Sequence, residues 1–144
     1  MSPILGTFAS QVTANLPTNS FESIATVQVG SGGSAGVTFS SIPSTYKHLQ
    51  VRSISRTTRN DASVDGIYMR FNGDTSGNYS THWMSGNGSS PSSAGYANYS
   101  IMLGTFFGAD AQTTANIFTA SIYDILDYTD TNKYKSTKTF RNIL

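Results

Sequence analysis

The chain contains no cysteine. A disulfide framework and a thiolate metal site are therefore excluded, and the redox compartment leaves no mark on the sequence. Charge is scarce too. Asp, Glu, Lys and Arg make up 12% of the residues, about half the usual share, and the formal net charge is +1. Bulk electrostatics then gives no pull toward nucleic acid or an acidic membrane, and neither partner is expected. No apolar run approaches the roughly 20 residues that a membrane-spanning helix needs, so no membrane insertion is expected. Residues 1–11 lack a basic region followed by a long apolar stretch, so they do not read as a signal peptide. No segment keeps a helical period, and no internal repeat or domain linker is visible.

What the chain does have is hydroxyls, amides and aromatics. Ser and Thr supply more than a quarter of the residues, and aromatics 12%. Thr favours strands, whereas Ser, Asn and Gly favour turns. The aromatic content argues against disorder, and 144 residues suit one domain with its own core. Residues 48–52, 67–71 and 79–83 alternate apolar and polar side chains with period 2, and Gly, Asn, Asp and Ser bound each run. That pattern is a half-buried β-strand closed by turns. The expected fold class is all-β, an antiparallel β-sandwich of jelly-roll type.

Residues 1–20 read as an N-terminal arm, and residues 21–144 as the β-sandwich domain. Residues 21–29 predict a first strand with Ala25, Val27 and Val29 on one face. The glycines of residues 30–34 turn the chain, and Val37 and Phe39 begin a returning strand, making a hairpin. Pro43 ends any strand before it. In residues 48–56 Leu49 and Val51 point inward, while Ile54 falls out of phase and suggests a bulge or a covered second face. After a polar loop at 57–65, Ile67, Met69 and Phe71 face the core, with Tyr68 and Arg70 outside. Asn72-Gly73 is a tight turn. Residues 79–84 form a short strand, 85–100 a long exposed loop, and 115–126 the longest strand, with Phe118, Ala120 and Ile122 on one face. A last strand starts at Tyr134 and stops on Ile143 and Leu144 with its apolar pattern unfinished. Completion by further chain or by strand addition from a neighbouring subunit is expected.

Three blocks carry a family likeness: SFESIATVQVGSGGSAGVTFSSIPSTYKHLQVR, RFNGDTSGNYSTHWMSGNGSS and ANIFTASIYDILDYTDTNKYKS. Together they resemble a group of small tailed-phage virion proteins, known as virion structural or tail-fibre-like β-jelly-roll modules. The resemblance spans almost the whole chain from Phe21 onward. It implies a non-enzymatic virion protein on the outer surface, a fibre, tip or capsid decoration module. Other virion proteins would be its partners. It also implies a homo-oligomer, a trimer by analogy, with host attachment as a further role. Members of the group continue for several strands beyond the segment matching residues 137–144. The resemblance supplies no catalytic residues.

Chemistry-bearing residues are few. His48 and His82 sit on different strands without metal-ligand spacing, which reads as surface or hydrogen-bonded histidine. Ser80, His82 and Asp74 include the residue types of a hydrolytic triad but lack a G-x-S-x-G elbow. Asp124 and Asp127 could cleave a glycoside or bind calcium if they converged. The plainer reading has Asp124 hydrogen-bonded in its strand and Asp127 capping the next turn. Lys133, Lys135, Lys138 and Arg141 form a basic stretch, read either as protected strand edge or as a binding patch. No catalytic set, metal or cofactor is expected. One cluster suits a ligand. Tyr96, Asn98, Asn87 and Trp83, near Tyr79, His82 and Asn78, combine aromatic faces that stack on sugars with amides that read hydroxyls. That is the alternative function, a carbohydrate-binding module for host-surface glycans. Tyr79 and Trp83 also fit an alternation into the core.

Overall fold

The computed structural model describes residues 21–60, 64–86 and 88–141. The chain divides into two compact units, Met1–Pro43 and Ser44–Leu144. In the first, all of residues 21–43 are exposed and none lies in a strand. The hairpin expected there is therefore not formed. Its turn is present, with Gly33 N–H donating to Gly30 O at 3.0 Å and Ser34 Oγ donating to Gly36 O at 2.6 Å. The flanking residues gain no strand partner, and alternation without a partner does not make a ladder.

The second unit is all-β, with no helix among the described residues. Seven strands run in order: β1 Leu49–Ser55, β2 Val64–Met69, β3 Tyr79–Gly86, β4 Pro91–Tyr99, β5 Met102–Ala109, β6 Thr119–Leu126 and β7 Ser136–Arg141. Strand pairing is antiparallel, in three sheets: β1-β6-β7, β2-β5 and β3-β4. The pairs β1 with β6, β2 with β5 and β3 with β4 are nested, as in one long hairpin folded back on itself. The core lies where these sheets meet. Tyr79, Met102, Tyr123 and Ile125 form its centre, and Leu49, Val51, Ile67, Met69, Phe71 and Tyr128 pack around them.

The inner face of β2 is the expected one. Ile67, Met69 and Phe71 are half-buried, and Tyr68 and Arg70 are exposed. Tyr79 secures the chain after β2, accepting a hydrogen bond from Phe71 N–H at 3.0 Å and stacking on the Phe71 ring. β5 contributes two extra residues opposite β2 between the Ile67 and Met69 pairings, a bulge the sequence did not announce.

Phe118, Ala120 and Ile122 do share a face, and it is the outer one. Thr119, Ser121, Tyr123 and Ile125 are buried, while Phe118, Ile122 and Leu126 remain 47%, 40% and 43% exposed. Register explains which face turns inward. Leu49 lies opposite Ile125, and Val51 opposite Tyr123. This end of the sheet brings its largest apolar pairs to the core, and period 2 then carries Ser121 and Thr119 inward with them. A slip of one residue would bury Ile122 and Leu126 but expose Tyr123 and Ile125. The same register accounts for Ile54. The β1–β6 pairing is unbroken from Leu49 to Ser55, so no bulge forms, and Ile54 simply points outward at 79% exposure.

Two further expectations change. Residues 85–100 are not one long loop, since 91–99 form β4, which returns antiparallel beside β3. After Pro91 the composition of β4 is Ser, Ala, Gly and Asn around two tyrosines, and pairing rather than side-chain burial makes it a strand. The longest expected strand, 115–126, begins only at Thr119, because the preceding residues are held as a loop. Arg56 holds that loop, its guanidinium donating to Thr113 O at 2.8 Å and to Thr114 O and Ile117 O, both at 3.0 Å. Asp110, fully buried, closes the start of the loop by accepting from Gln112 N–H at 2.9 Å and Thr113 N–H at 3.2 Å. The last strand starts at Ser136 rather than Tyr134. The arm at 1–20, Asn87, and the chain end at Ile143 and Leu144 lie outside the described residues.

Candidate functional site

The β3–β4 hairpin gathers the aromatics singled out from sequence. Residues opposite one another in an antiparallel pair share a face. Tyr79 lies opposite Tyr99, Thr81 opposite Tyr96, and Trp83 opposite Ala94. Tyr79, Tyr99, Tyr96 and Trp83 therefore share one face of the hairpin. Going from Tyr79 to Thr81 takes two steps on β3, but from Tyr99 to Tyr96 takes three on β4, so β4 carries a bulge. Asn98 sits in it with φ of +61°. Asn tolerates this left-handed conformation because its short polar side chain bonds locally. Without the bulge, residues 96 and 99 would face opposite sides.

The face is graded. Tyr79 is buried and belongs to the core, Trp83 is half-buried, and Tyr96 and Tyr99 are 38% and 41% exposed. The Tyr96 and Tyr99 rings meet edge to face, with centroids 5.7 Å apart at 75°. Two amphipathic rings in a fixed mutual angle, with Trp83 diagonal to Tyr96, present apolar surface edged by hydroxyls. Of the four glycan-site candidates, Trp83 and Tyr96 share this face, and Asn98 lies in the bulge between Tyr96 and Tyr99. Asn87 lies outside the described residues. Tyr99 is the member the sequence does not single out, since the Gly, Ser and Asn of 85–100 point to a loop. An Asn two residues after one Tyr and directly before the next, at a strand end, is the available signal.

His82 is not part of this face. It projects from the other side of the hairpin opposite Gly95, and a Cβ added at Gly95 would come within 2.8 Å of its ring. Asn78 is engaged elsewhere, donating from Nδ2 to Asp74 at 2.9 Å. That contact, with Ser76 N–H donating at 2.8 Å, holds the Asp74 carboxyl below the ordinary carboxylate range. Asp74 thus serves its own loop, and the triad with Ser80 and His82 gains no support.

The two carboxylates of β6 and its turn also part company. Asp124 accepts from Gln50 Nε2 at 2.7 Å across the β1–β6 ladder. Asp127, at φ of +45°, accepts from Lys133 Nζ at 2.6 Å, and this bond keeps its carboxyl below the usual range. Its backbone N–H donates to His48 Nδ1 at 3.0 Å. Asp130 is lowered chiefly by the Asn132 backbone N–H, and Lys133 is raised chiefly by its bond to Asp127. Each acid has its own base or donor: Asp124 ties β6 to β1, and Asp127 and Asp130 close the turn after β6. Among the described residues, no three His, Asp or Glu side chains come together to hold a metal ion.

The basic stretch is dispersed. Lys133 serves the turn, Lys135 buries its ammonium without a hydrogen-bond partner, and Lys138 lies 4.6 Å from the centroid of the Phe140 ring. Arg141 ends β7.

Comparison with known protein families, curated proteins and solved structures found no match to this chain.

Proposed function

We propose that the chain is a non-enzymatic structural protein of a tailed-phage virion, a fibre, tip or decoration module on its outer surface. It assembles there with other virion proteins and with copies of itself. The observation that carries this reading is the nested antiparallel pairing of β1 with β6, β2 with β5 and β3 with β4. Folding one long hairpin back on itself is how a jelly roll is made, and a rigid jelly roll with polar loops suits display. The three sequence blocks that resemble small virion proteins supply the rest, by analogy. Mass spectrometry of purified virions, with antibody labelling of this chain in electron micrographs, tests the reading. Detection at one defined position on the particle is expected, and absence from purified particles would refute it.

A second reading is favoured by the Tyr96–Tyr99 pair beside Trp83. These rings form a stacking surface for a host-surface glycan, with Asn98 at their edge. Binding on a glycan array that falls in both Tyr96→Ala and Tyr99→Ala is the expected result. Binding that survives both changes removes this face from consideration. No saccharide release is expected from host polysaccharide. Release that disappears in Asp124→Asn or Asp127→Asn would instead make the chain an enzyme.

A further inference from the structure

We propose that Asn72 is a site of spontaneous covalent modification, where the side-chain amide is lost and an aspartate or isoaspartate forms in the turn between β2 and β3. The proposal is independent of the functional reading above, since it needs neither a partner nor a ligand.

The chemistry needs a backbone N–H that can attack the side-chain carbonyl of the residue before it, and room for the five-membered ring that results. Glycine in the second position offers the least obstructed nitrogen, because it has no Cβ. Asn-Gly occurs twice in the sequence, at 72–73 and 87–88. Asn87 lies outside the described residues. The other described asparagines, Asn60, Asn78, Asn98, Asn116 and Asn132, are each followed by a residue with a side chain.

The fold frees this pair and holds its neighbours. φ is +51° at Asn72 and +70° at Gly73, and Asp74 N–H donates to Phe71 O at 2.9 Å. This is a type I′ turn, and its bond leaves the Gly73 N–H unused. Both residues are exposed, and among the described residues neither the Gly73 N–H nor the Asn72 amide has a hydrogen-bond partner. A Cβ built on Gly73 would meet nothing within 4 Å, so the space beside the attacking nitrogen is open. On one side Phe71 is fixed by its ring stack on Tyr79 and by its N–H bond to the Tyr79 hydroxyl. On the other, Asp74 accepts from Ser76 N–H and Asn78 Nδ2. Ring closure at Asn72 therefore has at most the one turn bond to break, and no strand. Asn78 shows the opposite state, with its amide tied to Asp74 and the buried Tyr79 directly after it.

Each step balances with water as the only co-reactant. Solvent base removes the Gly73 amide proton, and the nitrogen bonds to Asn72 Cγ. The Cγ–Nδ2 bond breaks, and Nδ2 leaves as ammonia with a proton returned from solvent. Water then opens the ring. Addition at Cγ breaks the new bond and leaves aspartate on the original backbone. Addition at the Asn72 backbone carbonyl breaks its bond to the Gly73 nitrogen and routes the chain through Cβ and Cγ, as isoaspartate. Nothing is oxidised or reduced. The new carboxylate lowers the formal charge by one, from +1 to 0. The isoaspartate form also lengthens the backbone by one carbon between Phe71 and Asp74, the two residues that the turn bond joins.

The test ages the full chain in its folded state and, in parallel, unfolded in guanidinium chloride, at neutral and at alkaline pH. Peptide mapping by mass spectrometry reads the exchange of NH for O residue by residue, and an isoaspartyl methyltransferase labels the isoaspartate form. In the folded chain Asn72 should convert within about a hundredfold of its unfolded rate, because only a local opening precedes the attack. The rate should rise with pH, and Asn78, Asn98 and Asn132 should convert much more slowly than Asn72. Conversion at Asn72 that is slowed by folding more than about a hundredfold, or that is no faster than at Asn78, overturns the proposal. The turn would then protect the pair rather than present it.

Discussion

Residues 24–39 and strand β6 carry the same kind of alternation and reach opposite states. Val27, Val29 and Val37 are 49%, 47% and 46% exposed, whereas Tyr123 and Ile125 are 1% and 5% exposed. Turn closure does not separate them. Gly33 N–H donates to Gly30 O at 3.0 Å beside the first, and Asp130 N–H donates to Asp127 O at 3.1 Å beside the second. What differs is what surrounds the strand. β6 has β1 on one side, β7 on the other, and Tyr79 and Met102 packed against its inner face. Residues 24–39 have none of these strand neighbours. An isolated hairpin is marginal in water, and burial at about 25 cal/mol per Å² is what converts alternation into a stable strand.

The sharpest way to break this comparison is to truncate an alternating residue in each region. Tyr123→Ala should cost about 3–5 kcal/mol, through lost burial and the cavity left at the centre of the core. Val27→Ala should stay within about 0.5 kcal/mol, because its side chain is already half exposed and lies in no strand. Urea denaturation of both variants measures the difference. Similar losses would mean that residues 24–39 contribute to the folded core as β6 does.

The next effect lies within the second unit. Phe71→Ala should cost about 2–3 kcal/mol, less than a fully buried Phe, since the ring is half-buried against Tyr79. Arg70→Ala, which loses a bond from its guanidinium to Ser100 O at 3.1 Å on the exposed face, should cost about 1 kcal/mol or less. Equal midpoint shifts would contradict the assigned faces of β2.

Those faces were legible in the sequence because Ile67, Met69 and Phe71 alternate with residues that gain nothing from burial. The all-β class was legible for the same reason, together with the turn residues between the runs. The face of β6 was not. Apolar side chains at 118, 122 and 126 outnumber those at 123 and 125, and only the pairing of Leu49 and Val51 with β6 decides which set turns inward. β4 was hidden by its weak side chains, since backbone pairing leaves no hydrophobic period to read. The hairpin expected at 21–39 does not form for the converse reason, a period with no neighbour to use it. At the candidate site, Trp83 and Tyr96 were visible as residue types. Their common face with Tyr99 depends on the bulge at Asn98, which a strict period of 2 places wrongly.

A pH experiment sharpens the contrast through one side chain. Burial pushes the Tyr123 phenol up to about 12. An unfolded tyrosine loses its proton near pH 10, while the folded one keeps it until about 12. Between these values the unfolded state binds fewer protons, so stability falls as pH rises. Below pH 10 the phenol is neutral in both states and contributes no slope. The two-unit gap corresponds to about 2–3 kcal/mol by pH 12. Tyr123→Phe should remove this part of the alkaline loss, measured as unfolding free energy from pH 9 to 12. A variant that follows the parent across that window would show that β6 does not exclude water from this group.

The smallest effects are expected at the two turns, and they test whether turn closure matters at all. Lys133→Ala removes the bond that holds the Asp127 carboxyl low, so that carboxyl should titrate at a higher pH in a side-chain NMR experiment. The sign follows from the pair. Its contribution is complete above the ordinary carboxylate range and is lost as pH falls through the lowered value. Asp74, held low by Asn78 and Ser76 in a different loop, should titrate as before. Because Lys133 and Asp127 are solvated, screening limits what the pair adds, and the melting temperature should barely move. Gly33→Ala forces a side chain into a turn with φ of +73° but should move it as little, since no strand depends on that turn. A large drop in melting temperature for Lys133→Ala alone would place the closure of β6 onto β7 in that ion pair. Packing against Tyr79 and Met102 would then no longer explain why β6 is a strand and residues 24–39 are not.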